Sequence, residues 1–177
     1  MDVYLLTIIK VIVDSSFTSN IGFWLNHATT ALRMELEEEA KKIGFKAQEA
    51  LVIMIAGADS GVPLVKIAER MSHSHPSVLR HIDALEKRGY IYRVPHPDDR
   101  RIKLLTLTEK GAAIRPEVIK IVFKIKTKAE TGMTAEESNT LIDLLQRVHT
   151  TFRSQEETDH LSGLIKSISK SINNERE

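Results

Sequence analysis

The chain of 177 residues is 42% hydrophobic and 28% charged, carries a formal net charge of +1 and contains no cysteine. That length suffices for one domain with its own core, and the missing thiols exclude disulfide frameworks, thiolate zinc centres and cysteine redox switches. A cytoplasmic setting is compatible with this composition.

The first nineteen residues, MDVYLLTIIKVIVDSSFTS, contain an apolar run. It lacks a basic leader, has Asp2 before it and Lys10 inside it, and is short of the roughly 20 apolar residues that a membrane span needs. Residues 1–20 are therefore expected to form a packing arm and not a membrane segment. Next, Ile21, Leu25, Ala28, Leu32, Leu36 and Ile43 recur at helical spacing and Gly44 supplies a stop. This predicts a long helix, assigned with its turn to residues 21–45. A second helix is expected from Lys46 to Ala58, with Ala50, Leu51, Met54 and Ile55 inward, followed by a turn at GADSGVP.

Leu64, Ile67, Ala68 and Met71 then cluster on one side of a short helix. A polar turn, SHS, leads into a further helix that runs to Arg88 and is closed by Gly89. Two short helices joined this way have the form of a helix-turn-helix. YIYRV and RIKLLTLT read as strands around the turn PHPDDR, a hairpin with a charged tip. In the second strand Ile102 and Leu104 alternate in one phase and Leu105 and Leu107 in the other. Such a break calls for a bulge or for a strand gripped on both faces.

Thr108 is placed to cap a helix reaching Gly132, which Pro116 is expected to kink or restart. TAEE at Thr134–Glu137 is a capping box, after which Leu141, Leu144, Leu145, Val148 and Phe152 keep helical spacing. A last stripe comprises Leu161, Leu164, Ile165, Ile168 and Ile172. The predicted fold is mainly α with a small β-hairpin wing. It is a winged helix-turn-helix over residues 46–111, flanked by long N- and C-terminal dimerisation helices, the latter within 112–177. The flanking helices carry more apolar surface than a small winged domain covers, which points to a second copy of the chain.

Charge is concentrated in the centre. Val62–Gly111 holds ten Lys and Arg against six Asp and Glu, +4, leaving −3 for the rest, and four of the seven histidines lie there. A basic middle in a near-neutral chain suits a polyanionic partner. Within it, MSHSHPSVLRHIDALEKRGY could hold a metal or enter a nucleic-acid groove. On a helical wheel His75 and His81 stand roughly 120° apart, too far round to share an ion, and no pair has the four-residue spacing of helical zinc ligands. Val78, Ile82 and Leu85 share one face; Pro76, Ser77, Arg80, Ala84 and Lys87 share the other. Ser74 is a natural cap and Pro76 suits the first turn. Free backbone N–H groups, Ser77, His75 and Arg80 would then serve phosphate and base-edge contacts in a major groove. At the hairpin tip Asp98, Asp99, Arg100 and Arg101 adjoin, and an arginine would enter a minor groove while an aspartate holds its neighbour. No nucleophile–base pair, phosphate loop or metal triad supports an enzyme, and the reading requires no cofactor.

Val62–Gly111 resembles the MarR family of bacterial transcriptional regulators, through LEKRGYI, PDDRR and LTLTEKG. The resemblance extends over about Ile21 to Phe152. It implies a winged-helix homodimer with interleaved terminal helices that binds palindromic double-stranded DNA, usually as a repressor released by a small aromatic or phenolic ligand. By position it implies DNA-contacting roles for Ser74, His75, Pro76, Ser77 and Arg80, and for Arg100 and Arg101 with Asp99 as support. His75-Pro76 replaces the family's usual Thr or Ser-Thr pair, so the operator does not carry over, and cysteine-based peroxide sensing is impossible. A pocket between dimer helices and winged lobe would draw on Phe23, Trp24, His27, Met34 or Met54. A winged helix used for protein contact is the alternative function.

Overall fold

The computed structural model describes residues 20–57, 61–71 and 75–154 and, beyond them, positions 157, 159, 162, 163 and 166. Residues 1–19 of the apolar arm and all five residues of the last apolar stripe lie outside these residues. Helix α1 spans Ile21–Lys42, with the Asn20 side chain accepting from Phe23 N at 3.2 Å. Its C-terminal end closes as the sequence predicts. Gly44 sits at φ 80°, its N–H reaching Lys41 O, while Phe45 N–H reaches Ala40 O. This is a Schellman closure, and only glycine takes that left-handed position without strain.

Helix α2 (Ala47–Ala56) is shorter than expected at its C-terminal end and stops at Gly57. It is buried on more than the expected face: Val52 and Ile53 are as enclosed as Ala50, whereas Leu51, expected inward, is only half-buried. The expected inward face of Ala50, Leu51, Met54 and Ile55 was too narrow, because α1, the helix-turn-helix, the sheet and the next long helix all pack around α2. Strand β1 (Val62–Pro63) follows, then α3 (Leu64–Arg70), α4 (His75–Lys87), β2 (Ile91–Pro95) and β3 (Lys103–Leu107).

The wing has a third strand that the sequence reading took for a turn. The order is β1-β3-β2, all antiparallel, with Val62 opposite Leu105 and Arg93 opposite Leu105 on the other side. The β2–β3 register runs without interruption from Ile91↔Leu107 to Pro95↔Lys103, so there is no bulge. The broken alternation has the other predicted cause: β3 is the central strand, with Leu105 fully buried and Leu104 partly covered beside Gly61.

Helix α5 (Glu109–Glu130) starts at the predicted cap, Thr108, and runs through Pro116 without a break in helical structure. It packs against α1 and α2 and is tied to α1 by Lys124–Glu39 and Lys128–Glu35 ion pairs. Helix α6 (Ala135–Phe152) opens with the predicted capping box, Thr134 and Glu137 exchanging bonds of 2.8 and 3.2 Å. The main core runs from Ala40 and Phe45 through α2 to Val78, Ile82, Leu85, Leu105 and Val118. No residue of α6 is buried. Among the described residues, no helix is long and apolar enough to cross a membrane.

Candidate nucleic-acid interface

Helix α4 stands on the core by Val78, Ile82 and Leu85, all essentially inaccessible. That seat turns Pro76, Arg80 and Lys87 to solvent, while Ser77 and Ala84 are half-buried at the margin. Removing about three aliphatic side chains from water fixes the rotation of the helix, since each contributes roughly 1.5–3 kcal/mol. His75 opens the helix; Ser74, the expected cap, lies outside the described residues.

The wing tip is organised by Asp99. Its carboxylate accepts from Arg101 N at 3.0 Å and from Arg101 Nε and Nη2 at 3.1 and 3.3 Å. The guanidinium beside it holds the Asp99 carboxyl below its ordinary value, with the Arg101 backbone N–H adding to the effect. Ile102 N–H bonds to Asp99 O and His96 N–H to Ile102 O, closing the turn. Arg100 is exposed and the Arg101 side chain is 92% accessible despite its partner. The tip thus presents two cations on a short, internally bonded turn. Among the described residues no three His, Asp or Glu side chains are grouped to hold a metal ion.

Wing and helix are joined by residues that the sequence reading did not single out. Arg93 of β2 pairs with Asp83 of α4 and reaches Glu86 Oε2 at 3.4 Å. A signal existed: two-residue alternation puts Arg93 in phase with buried Ile91, where a charge needs a partner. Arg88 and the buried Glu49 form a second such pair, at 2.9 Å. Nothing local announces it, since the two are 39 positions apart. Arg115, buried in α5, donates to Met54 O from Nε and Nη2, and burial pushes its pKa down.

Of the residues considered for a ligand pocket, Phe23, Trp24 and His27 adjoin on α1. Trp24 is 60% exposed and His27 is exposed, each ring packing on Phe23 at 5.5 and 4.3 Å between centroids. Met34 is exposed, whereas Met54 is in the core. Trp24 instead lines a groove of about 920 Å³ between α1 and α6, with Ile21, Leu25, Leu141, Leu144 and Val148.

Residues 46–103, from the start of α2 to the start of β3, match the MarR family model. That part of the chain is similar to a MarR family winged-helix domain. MarR family regulators are non-enzymatic DNA-binding transcription factors. Solved structures agree with this MarR-type fold. A mutant MarR from E. coli complexed with operator DNA is 25% identical, with 72% of this chain and 92% of that one covered and a TM-score of 0.65. CouR from Rhodococcus jostii RHA1, bound to p-coumaroyl-CoA, is 25% identical over 75% of this chain and 93% of its own, with a TM-score of 0.68. The transcriptional regulator SlyA shares the fold at a TM-score of 0.70, with 24% identity and coverage of 81% and 99%.

Proposed function

We propose that this protein is a sequence-specific regulator of transcription, a repressor, that binds palindromic operator DNA as a homodimer. The recognition helix α4 enters the major groove with Pro76, Ser77 and Arg80 leading, beside Ser74 and His75. The wing sets Arg100 and Arg101 into the adjacent minor groove, with Asp99 bracing Arg101. The observation that carries this reading is the combination, on one rigid unit, of a recognition helix with exposed Arg80 and a wing tip with two exposed arginines. The operator complex of a MarR protein with the same fold supports it.

The groove between α1 and α6 is apolar and open, and no residue of α6 is fully buried within its own chain. In this reading a second copy covers it, which makes the pair of recognition helices a two-fold reader with half-site centres roughly 10 bp apart. A small aromatic compound releases the protein from DNA; the p-coumaroyl-CoA complex of CouR supports that chemistry, and Trp24 and His27 are the side chains proposed to meet it.

The test is selection of bound duplexes from random DNA, followed by affinity measurements across salt concentrations and in the presence of aromatic acids. A palindrome whose affinity falls steeply with salt is expected. Absence of salt-dependent duplex binding would leave the winged helix as a protein-contact module instead.

A further inference from the structure

The C-terminal ends of α1 and α4 meet. Both close in the same way: Gly44 and Gly89 are left-handed, at φ 80° and 74°, and the residues after them, Phe45 and Tyr90, bond back to Ala40 O and Leu85 O. Those two rings then pack edge to face, 4.9 Å between centroids. Two helix C-termini side by side bring two negative dipole ends together. Arg88 supplies the cation between them. Its Nη2 donates to Gly44 O at 2.7 Å and its Nη1 to Glu49 Oε2 at 2.9 Å, and its guanidinium lies 4.6 and 5.1 Å from the Phe45 and Tyr90 ring centres.

The partners of Arg88 are themselves fixed. Glu49 is 5% exposed and accepts from Lys46 N at 3.1 Å, so its carboxylate is held at the start of α2. On the other side Lys110 of α5 donates to Arg88 O at 2.9 Å and stands 4.2 Å from the Tyr90 ring centre. One planar guanidinium therefore joins the end of α1, the start of α2 and the exit of the recognition helix. A flexible ammonium could not replace its two divergent N–H bonds and its flat faces.

We infer that Arg88 is a specificity-determining positioning residue: it sets how α4 is oriented on α1, and thereby which separation of DNA half-sites the dimer accepts. The inference rests on the proposed reading of a dimeric operator binder, in which α1 belongs to the dimer-forming part and α4 reads DNA. Each base pair added between half-sites moves one of them by about 3.4 Å and turns it by about 35°. A recognition helix locked to α1 cannot follow that displacement; one released from it can.

The experiment uses the full chain and a set of duplexes carrying the selected palindrome with its spacer lengthened or shortened by one or two base pairs. Wild type should prefer one spacing by at least about tenfold. Arg88→Gln should flatten that preference to within about threefold, while the penalty for a mismatch inside a half-site is retained. Arg88→Lys should fall between them, since it keeps the charge and loses the second bond. Because Arg88→Gln risks the fold, Glu49→Gln is run beside it, with melting and sedimentation recorded for both. A spacing profile identical to wild type in a folded dimeric variant overturns the inference. Failure of the wild type to bind any duplex overturns the functional reading beneath it, a distinguishable result.

Discussion

Arg93, on the outer strand of the wing, places its guanidinium against the Asp83 carboxylate of the recognition helix and reaches Glu86 one turn further on. The pair couples the two elements that carry the exposed arginines. It also offsets part of the negative charge of two carboxylates on the helix that the proposed reading brings to phosphates. As a partly exposed ion pair it contributes only about 0–1 kcal/mol to stability. Arg93→Met should accordingly shift the urea midpoint little, yet weaken duplex binding several-fold at low salt and make it less salt-sensitive. Equal DNA affinity for variant and wild type would remove Arg93 from the binding argument.

Arg80 and Arg101 should separate by kind of contact. Arg80→Ala should cost about 1–3 kcal/mol on the selected palindrome and relax base preference at one position. Arg101→Ala should weaken binding to all duplexes and reduce the salt slope by about 1. The Asp99 carboxyl, held down by Arg101, has its folded pKa below the ordinary value of 3.8. Its contribution is thus present above the unfolded value and lost as pH falls through the depressed one. Between about pH 5 and 8, anisotropy titrations should show no step that Asp99→Asn removes; such a step would show that the wing-tip pair titrates higher than its geometry implies.

Gly111, in the first turn of α5, lies so close to the wing that a Cβ there would stand 2.0 Å from Tyr90 O. The obstacle is backbone, held by the Thr108 N–H at 3.0 Å, and cannot swing aside. Gly111→Ala should destabilise by about 1–3 kcal/mol or more, as overpacking does. Denaturant unfolding of the variant checks this; an unchanged midpoint would mean that α5 shifts freely against β2.

Leu144 lines the open α1–α6 groove and is half exposed in the single chain. Leu144→Glu should convert a dimer to monomer in sedimentation velocity while leaving the melting of the winged unit almost intact, because α6 contributes no buried residue to it. A dimer that persists unchanged places the interface elsewhere.

The winged helix was legible because its signals are local. Val78, Ile82 and Leu85 return at helical spacing, Thr108 and Thr134 announce caps, and Gly44 and Gly89 announce helix ends, all within a few residues of the structure they create. The exposed positions of Pro76, Arg80, Arg100 and Arg101 follow from the same periodicity and turn chemistry. Strand β1 escaped because two residues are too few for a period; Val62 becomes a strand only when Leu105 comes alongside. The burial of Val52 and Ile53 beyond the expected face of α2 escaped for a related reason, since a periodic face cannot report how many neighbours will surround a short apolar helix.

Sequence alone thus determined the order of the helices and of the hairpin strands, the face on which α4 rests and the arginines left outside. Tertiary structure decided what holds those elements at fixed angles. Arg93 meets Asp83, and Arg88 meets Glu49 and Gly44, through contacts whose partners lie 10, 39 and 44 positions apart. Side-chain charge has no periodicity that points across such distances. Only the packing of Phe45 on Tyr90 and of Ile82 and Leu85 in the core brings those groups within bonding reach.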